Sequence, residues 1–363
     1  MTTRVMIMAG GTGGHVFPGL AVAEALQARG AEVVWLGTRR GLEATLVPEA
    51  GIDMEWLSIA GLRGKGVLGW LLAPLRMAVA MFQALVVIMR QRPMVIVGMG
   101  GFAAGPGGVM TWLLHKPLLI HEQNAVAGLT NRTLARLAGT VVEAFPGTFP
   151  AKRRAVSVGN PVRGTITQLA PPAQRFADRQ GPLRLLVLGG SQGALAINEM
   201  MPAALAGLPS QNRPQVWHQT GRSHEQVTRA AYDEYGVEAR LAPFIDDMAE
   251  AYGWADLVVC RSGALTVAEL AAAGVAAVLV PFPYAVDDHQ TANGRYLADN
   301  GAAVLAQQRD LSAEALSELL AQFCDDCGAG RGRLLAMAEQ ARALALPDAA
   351  ARVAELCLEA SHG

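Results

Sequence analysis

Residues 5–15 read Val-Met-Ile-Met-Ala-Gly-Gly-Thr-Gly-Gly-His, an apolar run followed by four glycines within five positions. A helical pattern follows over residues 20–29 and ends at Gly30. An apolar run, a glycine turn and a helix are typical of a buried parallel strand and its connection. Because glycine lets the backbone approach an anion and a helix start presents unpaired N–H groups, the turn suits a phosphate. The stretch therefore predicts a βα unit with a phosphate-type turn.

The same pattern recurs along the chain in two series of short apolar runs. The first series continues at residues 32–36, 95–98 and 118–121, and the second occupies residues 183–188, 216–219, 257–260 and 275–280. Within the second series, residues 188–194 read Leu-Gly-Gly-Ser-Gln-Gly-Ala and repeat the glycine turn. Strand-like runs that alternate with helical patterns favour parallel sheets covered by helices. The predicted fold class is α/β, with two Rossmann-like doubly wound domains.

The boundary between the two domains is expected near residues 159–161 and 171–172, where Gly-Asn-Pro and Pro-Pro interrupt the pattern. We therefore expect an N-terminal domain over residues 1–162 and a C-terminal domain over residues 163–346. Open parallel sheets bind their ligands at the carboxyl ends of the strands. The ligand site is accordingly expected in a cleft where the two domains face each other.

Composition limits the class of protein. The chain has 363 residues, 52% of them hydrophobic and 17% charged, which is enough for two cores and excludes disorder. Thirty basic and 31 acidic residues leave a net charge of −1, which disfavours nucleic acid as a partner. The four cysteines and the absence of a signal-peptide pattern at the start favour the cytoplasm. Cys324 and Cys327 form a CxxC pair without two evident further ligands, so we expect no metal.

The apolar stretch over residues 67–89 is long enough to cross a bilayer. Arg76 and Pro74 argue against a span, because an inserted arginine is costly and proline interrupts the helix. The first half suits an interfacial membrane surface, with a core helix as the alternative. The residues of this expected surface are Leu68, Trp70, Leu71, Leu72 and Leu75, with the cations Arg63, Lys65 and Arg76.

Two kinds of nucleotide site fit parts of the sequence. Residues 98–103 match the GxGxxA pattern of dinucleotide sites, with Glu122 about 20 residues further on, but the other two glycine turns do not. Residues 260–274 instead predict a strand end, a cap at Ser262 and a helix closed by Gly274. Such a helix start suits a diphosphate, and the Glu269 carboxylate can accept from a ribose diol or simply complement the helix dipole. These features favour a nucleotide-sugar site.

Eight ordered motifs resemble those of the bacterial N-acetylglucosaminyltransferases that convert lipid I to lipid II in peptidoglycan synthesis. They occupy residues 10–18, 98–108, 121–131, 159–163, 189–194, 244–248, 261–267 and 288–293. The resemblance implies a glycosyltransferase-B fold, an inverting transfer from UDP-N-acetylglucosamine, and neither a metal nor another cofactor. It implies a peripheral protein on the cytoplasmic face of the inner membrane, because the acceptor's undecaprenyl tail stays in an anionic bilayer. A C-terminal helix over about residues 347–361 is expected to pack back onto the first domain.

The resemblance also implies roles for particular residues. The Ile245 backbone would meet uracil, Glu269 the ribose, and Gln290 the sugar hydroxyls, although Gln290 alone could be a solvated loop residue. The diphosphate would bind Ser191 and the helix start, which comprises Ala264, Leu265 and Thr266. The next two residues, Val267 and Ala268, would also belong to the donor site. Further residues on motifs around the donor are Thr12, Gly13, Gly14, Asn124 and Arg163, the last of which could be an ordinary surface charge.

His15 follows the first glycine turn and is expected in the opening turn of a helix. An inverting displacement needs a base for the acceptor's C4 hydroxyl proton, and imidazole suits that role near neutral pH. The alternatives are a neutral hydrogen-bond donor that orients a substrate and a solvated loop histidine. For the whole chain, the rival functions are a nicotinamide oxidoreductase, a noncatalytic nucleotide-sugar sensor and a glycolipid synthase of the same fold.

Overall fold

The computed structural model describes residues 2–59, 72–177, 179–190, 193–324 and 328–362. Seven residues named above lie outside the described residues, namely Arg63, Lys65, Leu68, Trp70, Leu71, Ser191 and Cys327. The chain divides into two compact units. The first comprises Met1–Arg163 with Leu346–Gly363, and the second comprises Gly164–Ala345.

The first unit is built on a parallel sheet. Its strands are β1 (Arg4–Ala9), β2 (Glu32–Thr38), β3 (Asp53–Leu57), β4 (Val95–Gly100), β5 (Leu118–Glu122), β6 (Thr140–Glu143) and β7 (Val156–Ser157). Its helices up to Arg163 are α1 (Gly13–Gln27), α2 (Glu43–Glu49), α3 (Ala73–Gln91), α4 (Ala104–Leu113) and α5 (Leu129–Leu134). The strand order is β3-β2-β1-β4-β5-β6-β7, so the direction of winding reverses between β1 and β4.

Helices cover both faces of this sheet, because alternate residues of the central strands point to opposite sides. Val5 and Ile7 belong to one apolar cluster, whereas Met6 and Met8 belong to another, and all four are fully buried. Burial on both faces explains why β1 reads as a continuous apolar run rather than an alternating one.

The second unit has the same plan. Its strands are β8 (Arg184–Leu188), β9 (Gln215–Gln219), β10 (Arg240–Ala242), β11 (Leu257–Cys260), β12 (Ala276–Leu279) and β13 (Ala303–Leu305). Its helices are α6 (Gly164–Thr167), α7 (Pro172–Ala177), α8 (Leu195–Ala206), α9 (Glu225–Glu234), α10 (Met248–Trp254), α11 (Ala264–Ala273), α12 (His289–Ala298), α13 (Ala313–Ala321) and α14 (Ala329–Ala343). The strand order is β10-β9-β8-β11-β12-β13, and every pairing is parallel.

The last helix, α15 (Ala349–His362), belongs to the first unit and packs against α1. Val353 and Cys357 of α15 are fully buried in the same cluster as Val5 and Ile7. Short 3₁₀ helices occupy Ala151–Arg153, Ser210–Asn212, Val286–Asp288 and Gln308–Asp310. The predicted fold class of two Rossmann-like parallel-sheet domains is confirmed, and the expected cleft between them stays a prediction.

Two local expectations were wrong. The residue before α11 is Gly263, which caps the helix without a side-chain hydrogen bond, so Ser262 is not the cap. Pro74 does not interrupt α3, because it lies in the first turn, where proline is tolerated. Ala73–Gln91 is therefore long and apolar enough, by length and composition alone, to cross a membrane. Of its most apolar stretch of 18 residues, 22% is buried inside the protein.

Candidate functional site

Several of the candidate site residues, His15 and Glu269 among them, follow strands at which a sheet reverses its winding. In the first unit, β1 and β4 end side by side, with Ala9 opposite Gly100. In the second unit, β8 and β11 end side by side, with Leu188 opposite Cys260. Ligands of open parallel sheets bind at such reversal points, outside the carboxyl ends of the strands. Each unit therefore has its own candidate ligand-binding edge.

A buried carboxylate braces the first glycine turn. Glu43 is fully buried and accepts hydrogen bonds from the Gly11 amide at 2.9 Å and from the Thr38 hydroxyl at 2.7 Å. A Cβ atom on Gly10 would lie 2.5 Å from Oε1 of this glutamate, which explains the requirement for glycine there. Gly13 and Gly14 open α1, whose first amides have no intrahelical acceptor.

His15 lies in the first turn of α1 and contacts the glycine turn that follows β4, at Gly100 and Gly101. A Cβ atom on Gly100, whose φ is +103°, would lie 2.9 Å from Cε1 of the imidazole. A Cβ atom on Gly101 would lie 2.2 Å from the Gly10 carbonyl oxygen. The glycines that matched a dinucleotide pattern therefore let the two turns of the first unit pack closely around the histidine.

The histidine ring is held from its other side by the segment after β5. Nδ1 of His15 lies 3.0 Å from Oε1 of Gln123, and Nε2 of Gln123 lies 3.1 Å from Nδ1 of His121. Nε2 of His121 lies 2.9 Å from the Gly159 carbonyl oxygen. Burial lowers the pKa of His121 from the ordinary 6.5 to about 4, so this ring is neutral near pH 7. A chain of hydrogen bonds thus links His15 to the buried interior.

Glu122 does not fit the role it would have in a dinucleotide site. Its carboxylate accepts from the amides of Asn124 and Gly128 and from the side chain of Asn131, at 3.0–3.1 Å. The side-chain amide of Asn124 donates to the same carboxylate at 3.2 Å. Since these internal donors already use both oxygens, the carboxylate shapes the loop after β5 rather than meeting a ribose.

Two further predicted residues lie beside α1. Arg163 places its guanidinium 5.4 Å from the ring centroid of Phe17, within the first unit. The same ring would meet a Cβ atom on Gly13 at 3.0 Å, so Arg163 lies on the side of α1 that carries the glycine turn. Thr12 is exposed and precedes the helix, where its carbonyl accepts from the His15 amide at 3.1 Å.

In the second unit, α11 begins directly after β11, at the reversal point. Its first intrahelical bond runs from the Val267 amide to the Gly263 carbonyl at 2.9 Å, which leaves the amides of Leu265 and Thr266 without an intrahelical acceptor. The fully buried Ser262 has a hydroxyl with no hydrogen-bond partner among the described residues. This arrangement suits an anion at the helix start.

Glu269 lies in the second turn of α11 and is 6% exposed. The hydroxyl of Tyr252, a fully buried residue of α10, donates to its Oε2 at 3.1 Å. Burial raises the pKa of the adjacent Cys260 thiol to about 12, and the Glu269 charge adds to this effect. The carboxylate is thus held in place by a second helix, a feature that the sequence did not indicate.

Gln290 lies in the first turn of α12 rather than in a loop. The Oε1 atom of Gln290 accepts from the Phe282 amide at 2.8 Å, so the side-chain NH₂ group of Gln290 points away from Phe282. Asn293 of the same helix donates to the Ser262 carbonyl at 3.3 Å. Motifs separated by some 25 residues are thereby brought together around the start of α11.

Ile245 is 5% exposed and precedes α10, whose cap is the side chain of Asp247 accepting from the Glu250 amide at 2.9 Å. This cap fixes the backbone that follows Ile245. Among the described residues, no group of three or more potential metal ligands occurs. The sequence did not single out Glu43, Gln123 and Tyr252 as supporting residues, although Gln123 lies within one of the eight motifs.

Comparison with known proteins gives matches over nearly the whole chain. Residues 5–143 match the N-terminal domain of glycosyltransferase family 28, and residues 184–353 match its C-terminal domain. The UDP-N-acetylglucosamine–N-acetylmuramyl-(pentapeptide) pyrophosphoryl-undecaprenol N-acetylglucosamine transferase of Nitrosococcus oceani is 58% identical over 363 residues, which is 100% of both chains.

Solved structures also resemble this chain over nearly its whole length. The crystal structure of MurG from Acinetobacter baumannii is 43% identical, covers 98% of this chain and 99% of its own, and superposes with a TM-score of 0.84. The glycotransferase of kitacinnamycin is 17% identical, with 99% of both chains covered and a TM-score of 0.71, and this likeness concerns the fold alone.

Proposed function

This chain belongs to glycosyltransferase family 28, and from that premise we propose that it transfers N-acetylglucosamine from UDP-N-acetylglucosamine to lipid I. Lipid I is the undecaprenyl-pyrophosphoryl-MurNAc-pentapeptide, and the product is lipid II, a precursor of peptidoglycan. The choice of substrates rests on the full-length similarity to the Nitrosococcus transferase.

In this proposal the second unit binds the donor. The start of α11, from Ala264 to Thr266, and the glycine turn that contains Ser191 bind the diphosphate, since aligned N–H groups stabilise an anion there. Glu269, held by Tyr252, accepts from the ribose hydroxyls. The Ile245 backbone forms hydrogen bonds with uracil, and the NH₂ group of Gln290 donates to the sugar hydroxyls.

The first unit supplies the base. In a single displacement, the acceptor's C4 oxygen forms a bond to the anomeric carbon while the bond from that carbon to the UDP oxygen breaks. The proton of the C4 hydroxyl goes to His15, and UDP leaves with the electron pair of the broken bond. Thr12, Gly13, Gly14, Asn124 and Arg163 also belong to the first unit and, in this proposal, contribute to donor binding. A His15 that only donates a hydrogen bond is the competing role.

We further propose that α3 rests on an anionic lipid surface at the cytoplasmic face of the inner membrane. Its buried face packs through Ala84 and Ile88, whereas its opposite face carries an exposed apolar stripe at helical spacing. The stripe comprises Leu75, Val79, Phe82, Val86 and Met89, with exposed fractions between 44% and 66%. Leu72 and Arg76 are also exposed, which extends the stripe toward the segment predicted from the sequence. Such a face suits peripheral binding.

The proposed activity is tested by incubating the protein with radiolabelled UDP-N-acetylglucosamine and a soluble lipid I analogue. We expect label in the disaccharide product with inverted configuration, and an unchanged rate after chelation with EDTA, because helix amides serve the diphosphate. Binding of UDP without turnover would identify a sensor instead. Stabilisation by NAD rather than UDP would favour an oxidoreductase, and transfer to a different glycolipid would favour a synthase of the same fold.

A further inference from the structure

We propose that Gln123 and His121 are positioning residues that hold neutral His15 with its proton on Nδ1, so that Nε2 is the atom that accepts a proton. This inference rests on the proposed role of His15 as the base. A neutral imidazole carries its proton on one of two ring nitrogens. A nitrogen whose neighbour can only accept a hydrogen bond must carry that proton, and the other nitrogen then has the free lone pair. The chain of hydrogen bonds begins in the interior, at the Gly159 carbonyl, and runs outward through His121 and Gln123 to His15.

The first link fixes the tautomer of His121. The Gly159 carbonyl oxygen can only accept a hydrogen bond, so the ring nitrogen 2.9 Å away, Nε2 of His121, must donate. His121 is fully buried, and burial lowers its pKa to about 4, so it has one ring proton near neutral pH. That proton is on Nε2, and Nδ1 of His121 is therefore an acceptor.

The second link fixes the orientation of the Gln123 amide. Its nitrogen lies 3.1 Å from Nδ1 of His121 and 3.2 Å from the backbone carbonyl oxygen of His121. Both neighbours are acceptors, so the NH₂ group must face them. With the amide reversed, its oxygen would face two acceptors and both contacts would become repulsive. Oε1 of Gln123 consequently faces His15.

The third link reaches the candidate base. Oε1 of Gln123 lies 3.0 Å from Nδ1 of His15, and an amide oxygen can only accept. Nδ1 of His15 must therefore carry a proton. The neutral ring then has its lone pair on Nε2, whereas the other neutral tautomer would place two lone pairs against each other.

The surroundings leave the network little freedom to rearrange. Asn160 donates to the backbone carbonyl of Gln123 at 2.9 Å, and Asn131 donates to that of His121 at 3.0 Å. Gly100 lies against the His15 ring, where even one added carbon would come within 2.9 Å. The geometry therefore orients the ring as well as its proton, much as the third member of a catalytic triad does for its histidine.

The direct test is ¹⁵N NMR of the whole protein with labelled histidine rings, recorded at a pH where His15 is neutral. The His15 signals are assigned by their absence from His15→Ala. We expect the pattern of a ring protonated on Nδ1 for His15, and of a ring protonated on Nε2 for His121. A wild-type His15 protonated on Nε2 overturns the proposal. This result does not depend on turnover, so it stands even where the proposed reaction fails.

The second test removes the acceptor and keeps the volume. In Gln123→Met we expect the Nδ1-protonated form of His15 to lose its dominance and kcat to fall about 10-fold or more, with KM for UDP-N-acetylglucosamine within about twofold. Gln123→Glu keeps an oxygen next to Nδ1 of His15 and should keep the Nδ1 proton, but its second oxygen would face the two acceptors of His121, so this variant tests the His15 tautomer and not kcat. An unchanged tautomer and unchanged kcat in Gln123→Met would refute the proposal.

Two controls separate positioning from folding. Gln83→Met removes another glutamine of the first unit, one that bonds Ser58 at 2.8 Å and 3.1 Å, and it should leave both the His15 tautomer and kcat unchanged. His218 in the second unit has its own partners, Tyr232 and Asn198, each at 3.0 Å, so its signals should be identical in every variant. A fall in kcat without any change of the His15 signals would also contradict a role through the tautomer.

Discussion

At the scale of single residues, His15 allows the sharpest prediction. If its imidazole takes the proton of the acceptor hydroxyl, His15→Ala should lower kcat by about 10² to 10⁴-fold, because general base catalysis contributes that much. UDP affinity, measured by calorimetry, should change little. His115→Asn, at an exposed histidine with φ of +52°, is the matched control and should retain full activity. A raised donor KM with normal kcat would mean that His15 binds rather than catalyses.

Glu269 and Tyr252 allow a paired prediction for the donor. Glu269→Ala should weaken UDP binding by roughly 1 to 3 kcal/mol, the cost of leaving polar groups unpaired in a closed site. Tyr252→Phe removes only the 3.1 Å bond that holds the carboxylate and should weaken binding by about 1 kcal/mol or less. Tyr235→Phe, at a half-exposed tyrosine of the same unit, should have no effect. Unchanged UDP affinity in Glu269→Ala would exclude the ribose role.

The sequence singled out candidate residues but not the residues that support them. His15 and Glu269 could be singled out because each stands next to a glycine turn or a helix start, which are local signals. Their supports could not, because Gln123 is 108 residues from His15 and Tyr252 is 17 residues from Glu269. Such contacts depend on which strands become neighbours in the sheet, and no periodicity in the chain records that.

At the scale of elements, most central strands were predictable and the edge strands were not, and the inner strand β6 was also missed. The strands β1, β4, β5, β11 and β12 are buried almost throughout, so they read as unbroken apolar runs. The strands β3, β10 and β13 lie at sheet edges, have exposed or half-exposed residues, and gave no such run. A strand covered on one face only needs fewer apolar residues, so its pattern is weaker.

Helix α3 allows a prediction about the membrane. Replacing Phe82 and Met89 by serine removes the two largest exposed apolar groups in the second half of the stripe, 66% and 61% exposed, without touching the buried face. The double variant should sediment less with anionic vesicles, and added salt should weaken the binding of the parent. Val227→Ser, at an exposed valine of α9, is the control and should bind as the parent does. Equal sedimentation of parent and double variant would exclude this face.

At the scale of the whole molecule, each unit has its own core and its own buried neutral histidine. His121 lies in β5 of the first unit, and His218 lies in β9 of the second. Burial lowers their pKa values from the ordinary 6.5 to about 4 and about 3. Protonation of His121 would break its bond with the Gln123 NH₂ group, because that group can only donate, and burial opposes a charge on either ring. Both units should therefore be sensitive to acid.

The direction of that sensitivity follows from proton linkage. A histidine whose folded-state pKa is depressed binds protons preferentially in the unfolded chain, so its stabilising contribution is full above about pH 6.5 and is lost as the pH falls toward the folded-state value. Between pH 7 and pH 5, each histidine should cost its unit on the order of 2 kcal/mol of unfolding free energy.

In His218→Gln, which cannot titrate, the second unit should lose that much less over the same range, while the first unit behaves as in the parent. Urea unfolding at both pH values, read by pulsed hydrogen exchange in peptides of β9 and β5, measures the two units separately. His115→Asn should change neither, and an acid loss in β9 that persists undiminished in His218→Gln would show that other groups govern the stability of that unit.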